Sequence, residues 1–351
     1  MAFRGVLSLF VCLLATVYAA SYDGVIRAVG DGRYEAYMIP PNKANHASFI
    51  EQLPDGQLTL AWFSGTKEGA DKCSIVVAHL PPNGTQWSQA ALISRRDGYS
   101  NQNPVLFYDS KLQLFNLFHS QQPANDGEHQ AKVWQLVSKN NGLNWTAPVE
   151  IFKVDGSFDR NRIISSLDGG LIFPIYYSVS GDSHQDSAMK LSSDHTDWVG
   201  YKVDDSNYLV QPSVIRPTPK QSYLLSYFRD RRAEHIYSSS STDEGKSWSK
   251  PQKTSLPNNN AAIQSIVLAN GHVALVYNPT TRARNPIRIS ISLDGGKTWT
   301  YAKDLESSSS DNVEFSYPSL VQSPDGFIHV SYTYNRDTIK YVKFMENWIH
   351  Q

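Results

Sequence analysis

Cysteine is almost missing from this chain: only Cys12 and Cys73 occur in 351 residues. Cys12 falls in an amino-terminal apolar run and is expected to leave with it, so Cys73 has no partner and the fold must hold without an intrachain disulfide. An excess of either charge is missing too. Lysine plus arginine number 32 and aspartate plus glutamate 33, for a formal net charge of −1. With no basic block or basic helix face, a nucleic-acid partner is not expected, and a polyanion would need a local site. The apolar run Val6 to Val17 is shorter than the roughly 20 residues a membrane-spanning helix requires, so no membrane span is expected. Spaced histidine, cysteine and carboxylate clusters and glycine-rich phosphate loops are absent as well. Neither a metal nor an obligate cofactor is therefore expected.

What remains describes a globular protein with a large core, 40% hydrophobic and 19% charged. Arg4 before the apolar run and Val17-Tyr18-Ala19 after it give residues 1–20 the pattern of a secretory signal, which predicts a secreted, extracellular protein. The triplets Asn83-Gly84-Thr85 and Asn144-Trp145-Thr146 fit that route as glycosylation acceptors. Residues 21–351 are expected to form one domain and to act as a monomer.

One turn is spelled repeatedly. Ser241 to Trp248 reads STDEGKSW and Ser292 to Trp299 reads SLDGGKTW, with looser copies at SKNNGLNW (Ser138 to Trp145), SSDHTDW (Ser192 to Trp198) and PNGTQW (Pro82 to Trp87). The five tryptophans are 58, 53, 50 and 51 positions apart, which is a period. A second signal interleaves: LPDGQLTLAWF from Leu53, YDSKLQLFNLF from Tyr108, LDGGLIFPIYY from Leu167, TPKQSYLLSYF from Thr218, ANGHVALVYN from Ala269 and SPDGFIHVSYT from Ser323. Each is a tight turn before an alternating β-rich run and after another short apolar run, hence the joint between two strands. Six such units of about 50 residues predict an all-β, six-bladed β-propeller with four antiparallel strands per blade. The turn residues are structural: aspartate accepts from nearby amides, glycine supplies positive φ, and tryptophan packs into the seam. Asp243 and Asp294 are accordingly not expected to be catalytic.

Propeller geometry places the starts of the inner strands and the ends of their neighbours at one face, opposite these turns. The starts are His46, Asn103, Arg160 or Arg162, Gln211, Asn260 and Tyr317. The ends are Glu68, His119, Tyr177, Arg229 with Arg231, Asn278 followed by Arg284, and Arg336. Polar residues that differ from blade to blade at a symmetric mouth mark a ligand pocket.

The two full turns match the Asp box, Ser-x-Asp-x-Gly-x-Thr-Trp, and with the six-repeat register the chain resembles the sialidase superfamily over nearly all of residues 21–351. The resemblance implies Tyr317 in SYPSL as nucleophile. It implies Arg229 of YFRDR and Arg284 of TRARNPIRIS as the clamp on a substrate carboxylate, which suits forked guanidinium donors. Asp71 in GTKEGAD stands nearest to the acid/base aspartate, with Glu68 as rival. Two positions depart from the family pattern. Met38 in Tyr37-Met38-Ile39-Pro40 stands where a third clamp arginine belongs, and Gln211 of VQPSV stands where a glutamate should polarise the tyrosine. An amide cannot take the phenol's proton, so a tyrosine with its ordinary pKa of about 10 is expected to be a weak nucleophile.

Three readings stay open at this point. The first is exo-acting hydrolysis of an acidic, sialic-acid-like sugar. The second is β-elimination from a uronate, in which Arg229 and Arg284 neutralise the carboxylate, His46 and Tyr317 act as base and acid, and His119 stands in reserve. The third is binding of acidic glycans without turnover, with Trp62, Tyr176 and Tyr177 stacking on sugar faces. Arg231, Glu68, Asn103, His119, Tyr177 and Asn278 are the further candidate substrate contacts.

Overall fold

A computed structural model describes residues 21–125, 127–178, 185–310 and 312–351, so the expected signal segment and Cys12 lie outside the described residues. Six antiparallel sheets stand around a central channel, each packed on the next. The first blade contains strands Ala44–Gln52, Leu58–Gly65, Ser74–Leu80 and Ala91–Ser94, from the channel outward. The second, fourth and fifth blades repeat this plan from Tyr99, Leu209 and Gln264. The second strand of the first blade, LTLAWFSG, is buried at every position because both its faces are covered by adjacent blades, and it therefore reads as a near-continuous apolar run. Among the described residues, no helix is long and apolar enough to cross a membrane.

Two blades depart from the plan. The sixth takes three strands from the carboxyl end, Phe315–Gln322, Ile328–Tyr334 and Thr338–Phe344, and its fourth, Arg33–Tyr37, from the amino end, pairing Tyr34 with Lys343 and Tyr37 with Lys340. Both ends of the described chain thus share one sheet, and the ring is closed by backbone hydrogen bonds. In the third blade the inner strand is broken into Ser157–Asp159 and Ile164–Ser165, and the unpaired stretch between them carries Arg160 and Arg162.

The repeated turns are wired alike. Ser241 Oγ bonds Asp243 Oδ1 at 2.8 Å and accepts the Gly245 amide, Asp243 accepts the Ser247 amide at 2.9 Å, and Trp248 Nε1 donates to Gly245 O. The second full box repeats the serine and aspartate bonds through Ser292, Asp294, Gly296 and Thr298. In the looser copy at Ser138, Asn140 replaces the aspartate and the same bonds form, so an acceptor at this position suffices and a charge is not required. The Pro82 to Trp87 copy does not share this wiring: its Trp87 indole N–H is unpartnered among the described residues, and the ring packs edge-on against Tyr341.

Gly245 and Gly296 have φ near +85° and +95°, yet their surroundings differ. A Cβ on Gly245 would come no closer than 3.6 Å to Ile172, whereas one on Gly296 would lie 2.1 Å from Tyr227 Oη, the hydroxyl that donates to Gly296 O. Gly245→Ala is therefore expected to cost only the backbone strain, about 1 kcal/mol, and Gly296→Ala roughly 3 kcal/mol or more because a buried tyrosine must also move. Urea denaturation of the two variants checks the ranking, and equal losses would refute it.

Candidate active site

The innermost strands are bulged near the mouth. Pairing slips between His46 and Phe49, Gln102 and Val105, Val210 and Ser213, and Ser316 and Ser319. At these bulges Ala47, Asn103, Gln211 and Tyr317 all take φ between 49° and 56°, and Asn260 in the fifth blade takes 59°. Asn103, Gln211 and Tyr317 each precede a proline, a residue tolerated within a sheet at a bulge because it has no N–H to give the ladder. Such bulges re-aim side chains. Through them the Gln211 and Tyr317 side chains both meet Arg229.

Tyr317 is the centre of the cluster. Its hydroxyl accepts from Arg229 Nη1 at 2.6 Å, and the guanidinium carbons of Arg160, Arg229 and Arg284 lie 5.2 to 5.6 Å from its ring centroid. Arg229 is held in place by Asn260 Oδ1 on Nε (2.8 Å) and Gln211 Oε1 on Nη1 (3.1 Å). Asn258 supports that arrangement from below, accepting the amides of Asp230 and Asn260. Arg160 is fully buried and crosses the channel, donating to Ser48 O of the first blade and to Tyr317 O and Pro318 O of the sixth. Burial lowers the Arg160 pKa to about 10, which leaves it charged at neutral pH.

This environment changes the chemistry of the phenol. Burial raises the Tyr317 pKa, but the positive charges of Arg229 and Arg284 and a hydrogen bond with Gln211 outweigh that effect, with Glu68 opposing, and the phenol ends below its ordinary value. The phenol is therefore not the unassisted one that the sequence suggested, since three guanidiniums stand around it. An amide at position 211 can donate to a phenolate, which a carboxylate cannot do.

The other predicted residues divide into those the structure gathers and those it does not. His46 lies beside Tyr317, ring centroids 4.1 Å apart, but it is fully buried, with Nδ1 2.8 Å from Thr333 Oγ1 and Nε2 3.4 Å from Arg336. Burial and the surrounding arginines push its pKa well below the usual value, so it is a neutral ring and a poor base. Arg284 pairs at 2.7 Å with Glu314, whose second oxygen accepts from Arg336 Nε at 2.8 Å. Glu68 reaches the same group, 2.6 Å from Arg336 Nη1. Asp71 points elsewhere, accepting the Gly98 amide at 2.6 Å from an exposed loop, so of the two rivals Glu68 is the carboxylate that reaches the cluster, through Arg336.

Six candidates lie away from the cluster, at its rim, or serve the scaffold. His119 is buried between the first and second blades against Ser94, with its pKa lowered to about 4 by burial. Asn278 spends its amide on Pro286 O and Phe315 O and ties the fifth blade to the sixth. Tyr177 packs against the core, while its neighbour Tyr176 is the one whose phenol feels Arg229 and Tyr317. Trp62 is buried and donates to Asn45, so it offers no stacking face. Arg231 sits at the rim, 3.5 Å from Glu128, and Asn103 occupies its bulge as a buried residue.

Arg336 was legible as a mouth residue, but its place beside Arg284 was not. Glu314 gave no sequence signal, since its role depends on two arginines from different blades. Met38 is buried in the core, so the first blade contributes no guanidinium at that point. Among the described residues, the carboxylates that pair with Arg284 and Arg336 are Glu314 and Glu68, and Arg160 and Arg229 add two further guanidiniums, which leaves the site positive and suited to an anion. A cleft of about 880 Å³ opens beside Asp294 and Trp299, but it holds none of these groups. Among the described residues, no group of three or more histidine, cysteine or carboxylate side chains is placed to hold a metal.

Two titrations check this electrostatic account. Ultraviolet difference spectra between the native chain and Tyr317→Phe should show one phenol ionising below about 10. Its pKa should rise in Gln211→Leu and in Arg229→Met, and an unmoved titration would contradict the assigned causes. Asp159 supplies the second. It is buried with Oδ2 unpartnered among the described residues, and burial raises its pKa to about 8. The folded state then holds a proton that the unfolded chain releases above about 4, so this group costs stability as pH rises from about 4 to about 8. Asp159→Asn should flatten that dependence in thermal denaturation across the same window.

Comparison with known proteins places the arrangement. A curated sialidase from Bacteroides fragilis is 26% identical over 225 residues, 58% of this chain, and the match spans only 40% of that protein's length. The solved Hadza microbial sialidase Hz136 superposes with a TM-score of 0.78 at 17% identity, covering 88% of this chain and 67% of its own. The intramolecular trans-sialidase from Ruminococcus gnavus, in complex with oseltamivir carboxylate, superposes with a TM-score of 0.75 at 15% identity, covering 89% and 97%. At those identities the likeness concerns the fold. The BNR repeat-like domain model matches residues 56–330, well over half of the sequence, and the chain belongs to that family.

Proposed function

We propose that the chain is a secreted, monomeric, sialidase-like glycosidase that removes an acidic, sialic-acid-like sugar from a glycan end, with Tyr317 as nucleophile. The observation that carries this reading is the bond from Arg229 Nη1 to Tyr317 Oη, in a cluster where flanking guanidiniums hold the phenol below its ordinary pKa despite burial. The amino-terminal signal pattern supports export.

The chemistry follows from the placement. Arg229 and Arg284 receive the sugar carboxylate, and the positive site offsets the cost of bringing an anionic sugar to an ionised tyrosine. Tyr317 Oη forms a bond to the anomeric carbon as the bond to the glycosidic oxygen breaks, and a proton from Glu68 goes to that oxygen. Water then attacks the same carbon, Glu68 takes its proton, and the tyrosyl bond breaks, returning Tyr317 to the phenolate. In this scheme Gln211 stabilises the phenolate and is not a base. Elimination is less well supported, because His46 is neutral and turned to Thr333 and Arg336, and His119 is enclosed between blades.

The test is mass spectrometry of products from sialylated and uronate-containing glycans. Hydrolysis is expected, with fragments gaining one water, and Tyr317→Phe should lower kcat at least 1,000-fold, on the order of what losing a covalent nucleophile costs. In the native chain kcat/KM should rise with pH as the phenol ionises, and Gln211→Leu should move that limb to higher pH. Fragments with no water gained would sink hydrolysis in favour of elimination, and retained glycan with no product would leave a lectin.

A further inference from the structure

Resting on the acidic-sugar reading, we infer that Glu68 occupies the position of the substrate carboxylate on Arg336 when the site is empty, and that an incoming sugar carboxylate displaces it. Arg336 is a third guanidinium at the mouth, supplied by the sixth blade. It sits in the tight turn between Ile328–Tyr334 and Thr338–Phe344, where Asn335 and Arg336 both take positive φ, 52° and 59°. That turn is tied down on both sides. The Asn335 amide donates to Glu314 O and its side chain accepts the Glu314 amide, while Arg336 O accepts the Asn45 amide. The guanidinium therefore stands at a fixed place, 2.8 Å from the same Glu314 carboxylate that holds Arg284.

Its two carboxylate partners are not equivalent. Glu314 is three-quarters buried and is shared among Arg284, Arg336 and the Ser316 hydroxyl, so removing it would take the ion pair from Arg284 and leave Arg336 with Glu68 alone. Glu68 comes from a loop of the first blade, has a side chain 39% exposed, and makes one 2.6 Å contact to Arg336 Nη1. A pair this exposed is worth at most about 1 kcal/mol, so a ligand carboxylate that also reaches Arg284 outcompetes it. The exchange has a chemical consequence: only a sugar bearing a carboxylate frees Glu68 from Arg336, and the freed carboxylate takes up a proton from solvent, which it then passes to the glycosidic oxygen. Selectivity for an acidic sugar would then act on the proton donor as well as on binding.

Calorimetric titration with N-acetylneuraminic acid and with its neutral methyl ester tests this in the native chain, Glu68→Gln, Arg336→Gln and the double variant. Glu68→Gln is expected to tighten binding of the acid roughly 2- to 5-fold, the range an exposed ion pair allows, and to leave the ester unchanged. Arg336→Gln should weaken the acid about tenfold or more, and Glu68→Gln should bring no gain in that background. The double variant matters because simple repulsion between Glu68 and the ligand would give the same gain with or without Arg336. If Arg336→Gln does not fold, Arg336→Met, which keeps the apolar stem and removes the charge, serves in its place. An equal gain in both backgrounds, or none in either, overturns the exchange alone. Absence of binding to the native chain and every variant overturns the acidic-sugar reading and the exchange with it.

Discussion

The Arg160 guanidinium at the centre of the channel is the contact on which the site depends. A propeller channel is lined by backbone carbonyls of inner strands that have no further strand to pair with, and Arg160 gathers three of them from the first and sixth blades. A buried cation is tolerable only when such acceptors replace water. The break in the third blade's inner strand makes this reach possible. Because two of the three carbonyls belong to Tyr317 and Pro318, the same residue that fills the channel also anchors the strained backbone of the central tyrosine.

From that anchor the electrostatics of the mouth follow. Arg160, Arg229 and Arg284 surround a phenol whose pKa burial alone would raise. The same charges, added to burial, keep His46 neutral, so one field favours the phenolate and disfavours the imidazolium beside it. Two groups that one reading of the sequence paired as base and acid thus respond oppositely to one set of charges, the phenol drawn toward its anion and the imidazole kept neutral.

The two departures from the family pattern also find their place. Met38 goes into the core between the first and sixth blades, and Arg336 supplies a guanidinium to the mouth from the neighbouring hairpin, balanced by Glu314 and Glu68. Gln211 holds Arg229 and bonds the phenol in place of a carboxylate that would have opposed its ionisation. Substitutions that look disabling one at a time are compatible with a charged, ordered site once the surrounding blades are present.

The sequence by itself determined the repeat. Six turn-and-strand units at a period near 50 residues, with Asp-box wiring written in Ser, Asp, Gly and Trp, specify six blades, because those bonds are local and each turn closes on its own residues. It also marked the bulges, since Asn103, Gln211 and Tyr317 each stand before a proline at the start of an inner strand. Only the tertiary structure decided which polar residues meet. Glu314 acquires its role from Arg284 and Arg336, Glu68 and not Asp71 reaches across to the sixth blade, Tyr176 and not Tyr177 faces the charges, and His119 is enclosed between blades. Most of these are contacts between blades, between residues up to 268 positions apart. Alternation along a strand says which residues share a face; the curvature of the ring and the bulge at each inner strand decide which side chains converge on its axis.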